Sequence, residues 1–175
     1  MEFLKEMKEL FKYGYYSARM GKYTKDIERM TKVDVIKDGF IEIFHNGFVI
    51  GSLARYAVLY VKEYDDHFIP VVIKESCVKK FSYNANQFIN YHEVGHFEKH
   101  IDKKTGLEMT DTDLGLDLNV EHEADMYAVQ KMGYDRVFEA LNELIDRSDD
   151  LYTIYQFEER KQMLWEKYLE SRGTI

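Results

Sequence analysis

A histidine–glutamate–histidine pattern at residues 92–96 is the feature of this sequence that most directly indicates chemistry. In the stretch HEVGH, His92 and His96 are four residues apart and Glu93 follows the first histidine directly. On an α-helix, residues four apart lie on one face, so both imidazoles can bind the same metal ion. Glu93 then lies about 100° around the helix, where it can take a proton from water instead of binding the metal. The pattern predicts two metal ligands and a general base on one helix.

A third histidine, His100, continues the four-residue spacing. Three ligands from one straight helix cannot surround a tetrahedral ion, so His100 is not expected to be the third ligand. The longer pattern with a third histidine, HExxHxxGxxH, needs glycine and histidine where this chain has Lys99 and Asp102. A structural or supporting role, or a contact with substrate, is what we expect of His100.

The best candidate for the third ligand is Glu121, in the stretch NVEHEADMYAV. A carboxylate from a second helix would complete a His2Glu set and leave a fourth position for water, as catalytic zinc sites do. Asp125, one turn later on the same face, can accept the remaining ring N–H of a liganding histidine. Glu123 is about 200° from Glu121 on a helix, so only one of the two can face the metal. The four-residue spacing to Asp125 favours Glu121, and we expect Glu123 and its neighbour His122 to face solvent.

These two motifs together resemble the HExGH…ExxAD signature of gluzincin zinc metallopeptidases. The resemblance is to the heat-shock and CAAX-prenyl-protease family, including its small soluble relatives, and it covers residues 70–165. It implies a zincin-like fold, zinc bound by His92, His96 and Glu121, Glu93 as the base, and Asp125 as a support of the site. The membrane-spanning helices of the large members are missing here, so their lipid-modified substrates are not implied.

Two residues are further candidates for contact with the transition state or the substrate. The segment FEERKQML resembles a later arginine segment of the same family, which implies an active-site role for Arg160. The hydroxyl of Tyr127 could hydrogen-bond a tetrahedral oxyanion, and core packing is the alternative role for this tyrosine.

The site is also similar to that of ImmA/IrrE-type peptidases, in which a histidine like His100 often follows HExxH. Those peptidases usually have asparagine where Asp125 stands.

The elements that must position these residues follow in the order helix, strands, helices. This order predicts an α+β fold, in one domain over residues 1–175. An amphipathic helix is expected over about residues 2–22, followed by a small antiparallel sheet with hairpin turns at Asn46-Gly47 and at residues 64–67. The strand that begins at Pro70 could be a sheet edge that pairs with an extended peptide, and a plain interior strand is the alternative.

The histidines are expected on a helix from about Ala85 to Ile101, capped by Ser82 or Asn84. Gly95 lies inside this helix, where glycine costs about 1 kcal/mol relative to alanine. A close approach of another backbone would account for it, and the alternative is that the helix simply tolerates this small cost. Three more helices are predicted over about residues 119–132, 135–146 and 150–172.

Composition limits the partners and the compartment. A net charge of -8 over 175 residues argues against nucleic-acid binding, which needs basic residues to neutralise phosphates. The single cysteine, Cys77, allows no intramolecular disulfide, and no apolar run is long enough for a signal peptide or a membrane span. We therefore expect a cytoplasmic protein that does not bind membranes, with the oligomeric state left open.

The function predicted from the sequence is that of a zinc-dependent endopeptidase acting on a peptide or protein substrate. In this prediction Glu93 is the general base for a metal-activated water. The alternative is a zinc-fold protein with weak or no turnover that serves as a partner-binding module.

Overall fold

The described part of the chain has strands followed by helices, so the α+β prediction is confirmed. The structure, a computed structural model, describes residues 33–36, 39–45, 53–61, 67–106 and 118–173. The helix predicted over residues 2–22 and the turn predicted at Asn46-Gly47 lie outside these residues. The chain divides into two units, residues 1–76 with 100–111 and residues 77–99 with 112–175, and each is considered by itself. The prediction of a single domain stays a prediction.

Within the described residues, the first unit holds one four-stranded sheet in the order β1-β2-β4-β3. Its strands are β1 (Val33–Ile36), β2 (Phe40–His45), β3 (Ala54–Val61) and β4 (His67–Glu75). The pairs β1–β2 and β3–β4 are antiparallel, whereas β2 and β4 run parallel, with Ile41 opposite Val71. The sheet is therefore mixed, and the prediction of an antiparallel sheet is wrong for this pair. β2 and β4 are not consecutive in the chain, so no turn signal between them could reveal their pairing.

Two expectations about strand pairing have different outcomes. The hairpin predicted across residues 64–67 is confirmed as a pairing of β3 with β4, although the turn itself lies outside the described residues. The expectation that the strand beginning at Pro70 forms a sheet edge is wrong, because β4 lies between β2 and β3. Successive residues of a strand point to opposite faces, and Val71, Val72 and Ile73 are all buried. Such a continuous apolar run is typical of a central strand.

The second unit is built from helices in its described residues. A short 3-10 helix, η1 (Ser76–Lys80), precedes α1 (Tyr83–His100), α2 (Leu118–Met132), α3 (Tyr134–Asp146) and α4 (Leu151–Ser171). The predicted helices begin and end within two residues of these bounds. Ser82 is the cap of α1, since its hydroxyl accepts a hydrogen bond from the Ala85 backbone N–H at 3.1 Å. Gly133 ends α2 with φ at 84°, a left-handed conformation that glycine adopts without strain.

The core of the helical unit is a set of buried apolar side chains contributed by all four helices. It consists of Ala85, Phe88, Ile89, Val94 and Phe97 from α1, Ala124, Ala128 and Val129 from α2, Val137, Ala140, Leu141 and Leu144 from α3, and Leu164 from α4. Burial of these side chains is the main force that holds the helices together. Among the described helices, none has both the length and the apolar character needed to cross a membrane.

Candidate metal centre

Helix α1 places the two histidines of HEVGH side by side. Their Nε2 atoms are 3.1 Å apart, and the two rings meet edge-on with their centroids 4.6 Å apart. Both side chains are largely buried, with exposed fractions of 9% for His92 and 12% for His96. Either one N–H···N hydrogen bond or two lone pairs directed at one cation can satisfy two ring nitrogens at this distance.

A close approach of α2 brings a carboxylate to these histidines. A Cβ atom built on Gly95 would lie 2.8 Å from the backbone oxygen of Ala124 and 2.9 Å from its Cα. A side chain at position 95 would therefore push the two helices apart. The expectation that another backbone approaches α1 at this glycine is confirmed. Glu121 precedes Ala124 by one turn, so the approach brings its side chain to the face of α1 that carries the histidines.

The three predicted ligands form one compact group. The Glu121 carboxylate lies 3.2 Å from His92 Nε2 through Oε2 and 3.4 Å from His96 Nε2 through Oε1. A tetrahedral ion with bonds of 2.0–2.1 Å separates its ligand atoms by about 3.3–3.4 Å. The separations of 3.1, 3.2 and 3.4 Å in this group are close to that value. These three residues could therefore hold one metal ion without rearrangement of α1 or α2.

Asp125 determines which nitrogen of His92 is available to a metal. The Nδ1 atom of His92 lies 2.8 Å from Oδ1 of Asp125, which is fully buried. Nη2 of Arg160, which can only donate, lies 3.0 Å from the same nitrogen. The shorter contact is to Asp125, whose ionised carboxylate can only accept, so Nδ1 carries the proton and donates it to Asp125. In the neutral ring this leaves a lone pair on Nε2, which faces His96 and Glu121. The predicted role of Asp125 as a support of the site agrees with this geometry.

Arg160, from α4, joins the same group. Its Nε donates to Oδ2 of Asp125 at 2.8 Å, and its Nη2 donates to Oδ1 of the same carboxylate. Its Nη1 lies 3.4 Å from Oε2 of Glu121. The paired contact of a guanidinium with both oxygens of one carboxylate is the strongest form of this ion pair.

These charges shift the pKa values of the group in opposite directions. Burial and Arg160 lower the pKa of His92, but hydrogen bonds to Asp125 and Glu121 outweigh them and raise it to about 9. Burial raises the pKa of Glu121, yet the hydrogen bonds of the two histidines hold it well below its usual range. Burial also opposes the charge of Asp125, but Arg160 and His92 lower its pKa to about 2. Both carboxylates are thus ionised at neutral pH, as a metal ligand and a hydrogen-bond acceptor must be.

Glu93, the predicted base, is in a different electrostatic environment from Glu121. Its side chain is buried, and burial raises its pKa even though His92, His96 and Arg160 act in the opposite direction. Glu121 is therefore held in its charged form, whereas Glu93 takes up a proton more readily than an ordinary glutamate. Carboxylates whose surroundings separate their pKa values in this way are commonly assigned different roles in acid–base chemistry.

Two other predicted residues lie outside the group of ligand atoms that the described residues form. His100 is buried at the last position of α1, one turn beyond His96. Tyr127 packs at the α1–α2 contact, where its Cβ would be 3.0 Å from a Cβ on Gly95, and Lys131 lies over its ring at 5.4 Å. Contacts of His100 and Tyr127 with a substrate or a transition state stay predictions.

Three consecutive residues of α2, Glu121, His122 and Glu123, have different surroundings. Glu121 faces the histidines, while Glu123 is exposed, as expected. His122, which was expected to face solvent, is instead half-buried, and its Nδ1 atom is buried without a hydrogen-bond partner among the described residues. The prediction for His122 is therefore wrong, because this residue lies one turn before the fully buried Asp125 on the helix.

Sequence reasoning missed the contacts of Arg160, which it assigned to the substrate or the transition state. A usable signal was present, because Thr153, Arg160 and Leu164 form the buried side of α4. An arginine at helical spacing with core residues must find a buried partner, since an unpaired charge in the core is costly. Asp125 and Glu121 are the partners that meet this need.

Comparison with known proteins gives no further guide, because no family model, no curated protein and no solved structure matches this chain.

Proposed function

We propose that this protein is a zinc-dependent endopeptidase with a gluzincin-type site. The observation that carries the proposal is the convergence of His92 Nε2, His96 Nε2 and the Glu121 carboxylate at separations of 3.1–3.4 Å. A buried glutamate with a raised pKa directly follows the first histidine. The resemblance of the sequence to the HExGH…ExxAD signature supports the same conclusion.

The donor set suits zinc among the metals that proteins commonly use. Two imidazole nitrogens and one carboxylate oxygen form the His2Glu set of catalytic zinc sites, which leaves a fourth position open. Calcium and magnesium prefer oxygen ligands and higher coordination numbers, so this set suits them poorly. When bound, zinc would supply Lewis acidity, which polarises the scissile carbonyl and makes water a better nucleophile at neutral pH.

Residues of the chain supply the other parts of the proposed mechanism. Glu93 accepts a proton from the attacking water and delivers it to the leaving amine, and a raised pKa favours this use of a carboxylate. Asp125 holds His92 in the tautomer that keeps its Nε2 free of a proton in the metal-bound form. The substrate in this proposal is a peptide or protein segment, and the net charge of -8 disfavours a nucleic acid.

A cytoplasmic location is part of the proposal. It is supported by the single cysteine, Cys77, which is exposed as a free thiol. Exposed free thiols persist in reducing compartments, whereas oxidising ones favour disulfides.

The proposal is tested first by the metal content of the protein purified without chelators. We expect about one zinc per chain, lost on substitution of His96 by alanine and retained on substitution of Glu123 by glutamine. Glu123 is the matched control because it is an exposed carboxylate two residues from Glu121. A wild-type protein that binds no zinc when the metal is supplied would contradict the proposal.

Turnover is tested with a library of internally quenched peptides. We expect cleavage by the zinc-loaded wild type and a loss of about 10²-fold or more in Glu93→Gln, because this change removes the general base. The Glu93→Gln variant should keep its zinc, since Glu93 is not in the ligand group. Zinc binding without cleavage of any peptide would favour the partner-binding alternative.

A further inference from the structure

One arginine contacts both the support of one proposed ligand and a second proposed ligand itself. Arg160 donates through Nε and Nη2 to the two oxygens of Asp125, and its Nη1 lies 3.4 Å from Oε2 of Glu121. Asp125 in turn accepts the Nδ1 proton of His92. The arginine therefore acts on His92 mainly through Asp125, although its Nη2 also lies 3.0 Å from His92 Nδ1, and it acts on Glu121 directly.

The orientation of Asp125 depends on this arginine. Oδ1 of Asp125 accepts from both His92 Nδ1 and Arg160 Nη2, while Oδ2 accepts from Arg160 Nε at 2.8 Å. Two N–H groups in one plane fix the rotation of the carboxylate about its side-chain bonds, which a single point charge cannot do. The rotation of the carboxylate then fixes the tilt of the His92 ring, and so the direction of its Nε2 lone pair.

The surroundings of Arg160 argue for this use of the side chain and against a contact with substrate. The residue is 8% exposed, and its guanidinium lies 5.3 Å from the centroid of the Phe157 ring and 5.9 Å from that of Phe88. Its Nε and Nη2 donors are occupied by Asp125 and its Nη1 is directed at Glu121. The guanidinium group is therefore already paired with groups of the protein in the absence of substrate.

We propose that Arg160 is a positioning residue that holds Asp125 and Glu121 in the orientation in which His92 and Glu121 bind the metal, without touching the substrate. This inference rests on the proposed function for the metal site, but it concerns metal binding and not peptide cleavage. It also differs from the active-site role that the sequence resemblance implies for Arg160.

The test compares Arg160→Lys with wild type in metal affinity and in the geometry of the site. Lysine keeps the positive charge but has one ammonium group, so it cannot form the fork to Asp125 and reach Glu121 as well. We expect zinc affinity, measured by competition with a chromophoric chelator, to fall about 10- to 100-fold. The visible absorption bands of the cobalt-substituted protein should also shift, since they report the arrangement of the ligands.

Arg172→Lys is the matched control. Arg172 follows the last residue of the same helix, is exposed and lies over the ring of Tyr168. This variant should have the zinc affinity and the cobalt spectrum of the wild type. If Arg160→Lys is folded and also keeps both, Arg160 is only an internal ion pair and the proposal fails. If the wild type itself binds no metal, the proposed function fails first, so the two failures are distinguishable.

A measurement on proteins that retain Arg160 covers the case in which Arg160→Lys does not fold. The Nε–H signal of Arg160 in a ¹⁵N NMR spectrum should exchange slowly and should shift when zinc is added. It should not shift further when a peptide that the enzyme binds is added to a zinc-loaded Glu93→Gln variant. A chemical shift of this signal that does not change when zinc is added, or that changes when peptide is added, would overturn the proposal.

Discussion

Replacing Gly95 by alanine tests whether the contact of α1 with α2 assembles the metal site. The new Cβ would lie 2.8 Å from the Ala124 oxygen and 2.9 Å from the Ala124 Cα, and both are backbone atoms that no rotamer change can move. Overpacking of this kind costs about 1–3 kcal/mol, while alanine in place of glycine in a helix returns about 1 kcal/mol. We therefore expect a net loss of about 1 kcal/mol in the free energy of unfolding, or about 2–4 °C in Tm.

The effect of Gly95→Ala on metal binding should exceed its effect on stability. Relief of the contact moves α2 away from α1 by several tenths of an ångström, and functional groups tolerate displacements of about 0.5 Å at most. Glu121 is one turn from the contact, so we expect zinc affinity to fall about tenfold or more. The assays are thermal unfolding in chelator and zinc competition, with Asn142→Ala in the exposed part of α3 as a control for helix propensity. A variant more stable than wild type, with unchanged zinc affinity, would refute the close approach of the helices.

Three further predictions concern the proton on His92 and the helix that carries Arg160. The pKa of His92 is raised to about 9, so zinc must displace a proton from this ring at neutral pH. The apparent zinc affinity should therefore rise about tenfold per pH unit from pH 7 towards 9 and then level off. In the metal-free protein, the same raised pKa gives stability that is present below about pH 6.5 and lost as pH rises through about 9, which chelator-treated unfolding curves can check. A zinc affinity independent of pH in this range would contradict the hydrogen bonds assigned to His92. Asp150 caps α4, accepting from Thr153 N at 2.9 Å and from Thr153 Oγ1 at 2.6 Å. Asp150→Ala should cost about 1 kcal/mol in thermal unfolding and leave zinc affinity unchanged, and equal destabilisation by Asp149→Ala would show that the cap is not the cause.

Much of the helical unit could be predicted because its signals are local. The four-residue spacing of His92 and His96 specifies one helical face, and the four-residue spacing of Glu121 and Asp125 specifies another. Gly95 marked the point where the two faces could approach, and the structure has Ala124 at that point. The ends of the helices were also predictable, since Ser82 and Gly133 have chemistry that caps and stops a helix.

The features that the sequence did not predict depend on packing between segments that are distant in the chain. The parallel pairing of β2 with β4 joins strands separated by β3, so no turn residue between them reports it. The spacing of residues within α4 indicates that Arg160 is buried, but which groups it pairs with depends on how α4 packs against α2. The half-burial of His122 likewise follows from helix packing and not from its acidic neighbours.

The most direct test of the central claim is a crystal structure of the zinc-loaded protein with anomalous data on both sides of the zinc absorption edge. We expect one zinc peak about 2.0–2.1 Å from His92 Nε2, from His96 Nε2 and from one oxygen of Glu121, with the Glu93 carboxylate outside the bonding distance. A zinc peak on other residues, or a peak bound by Glu93 in place of Glu121, would contradict it.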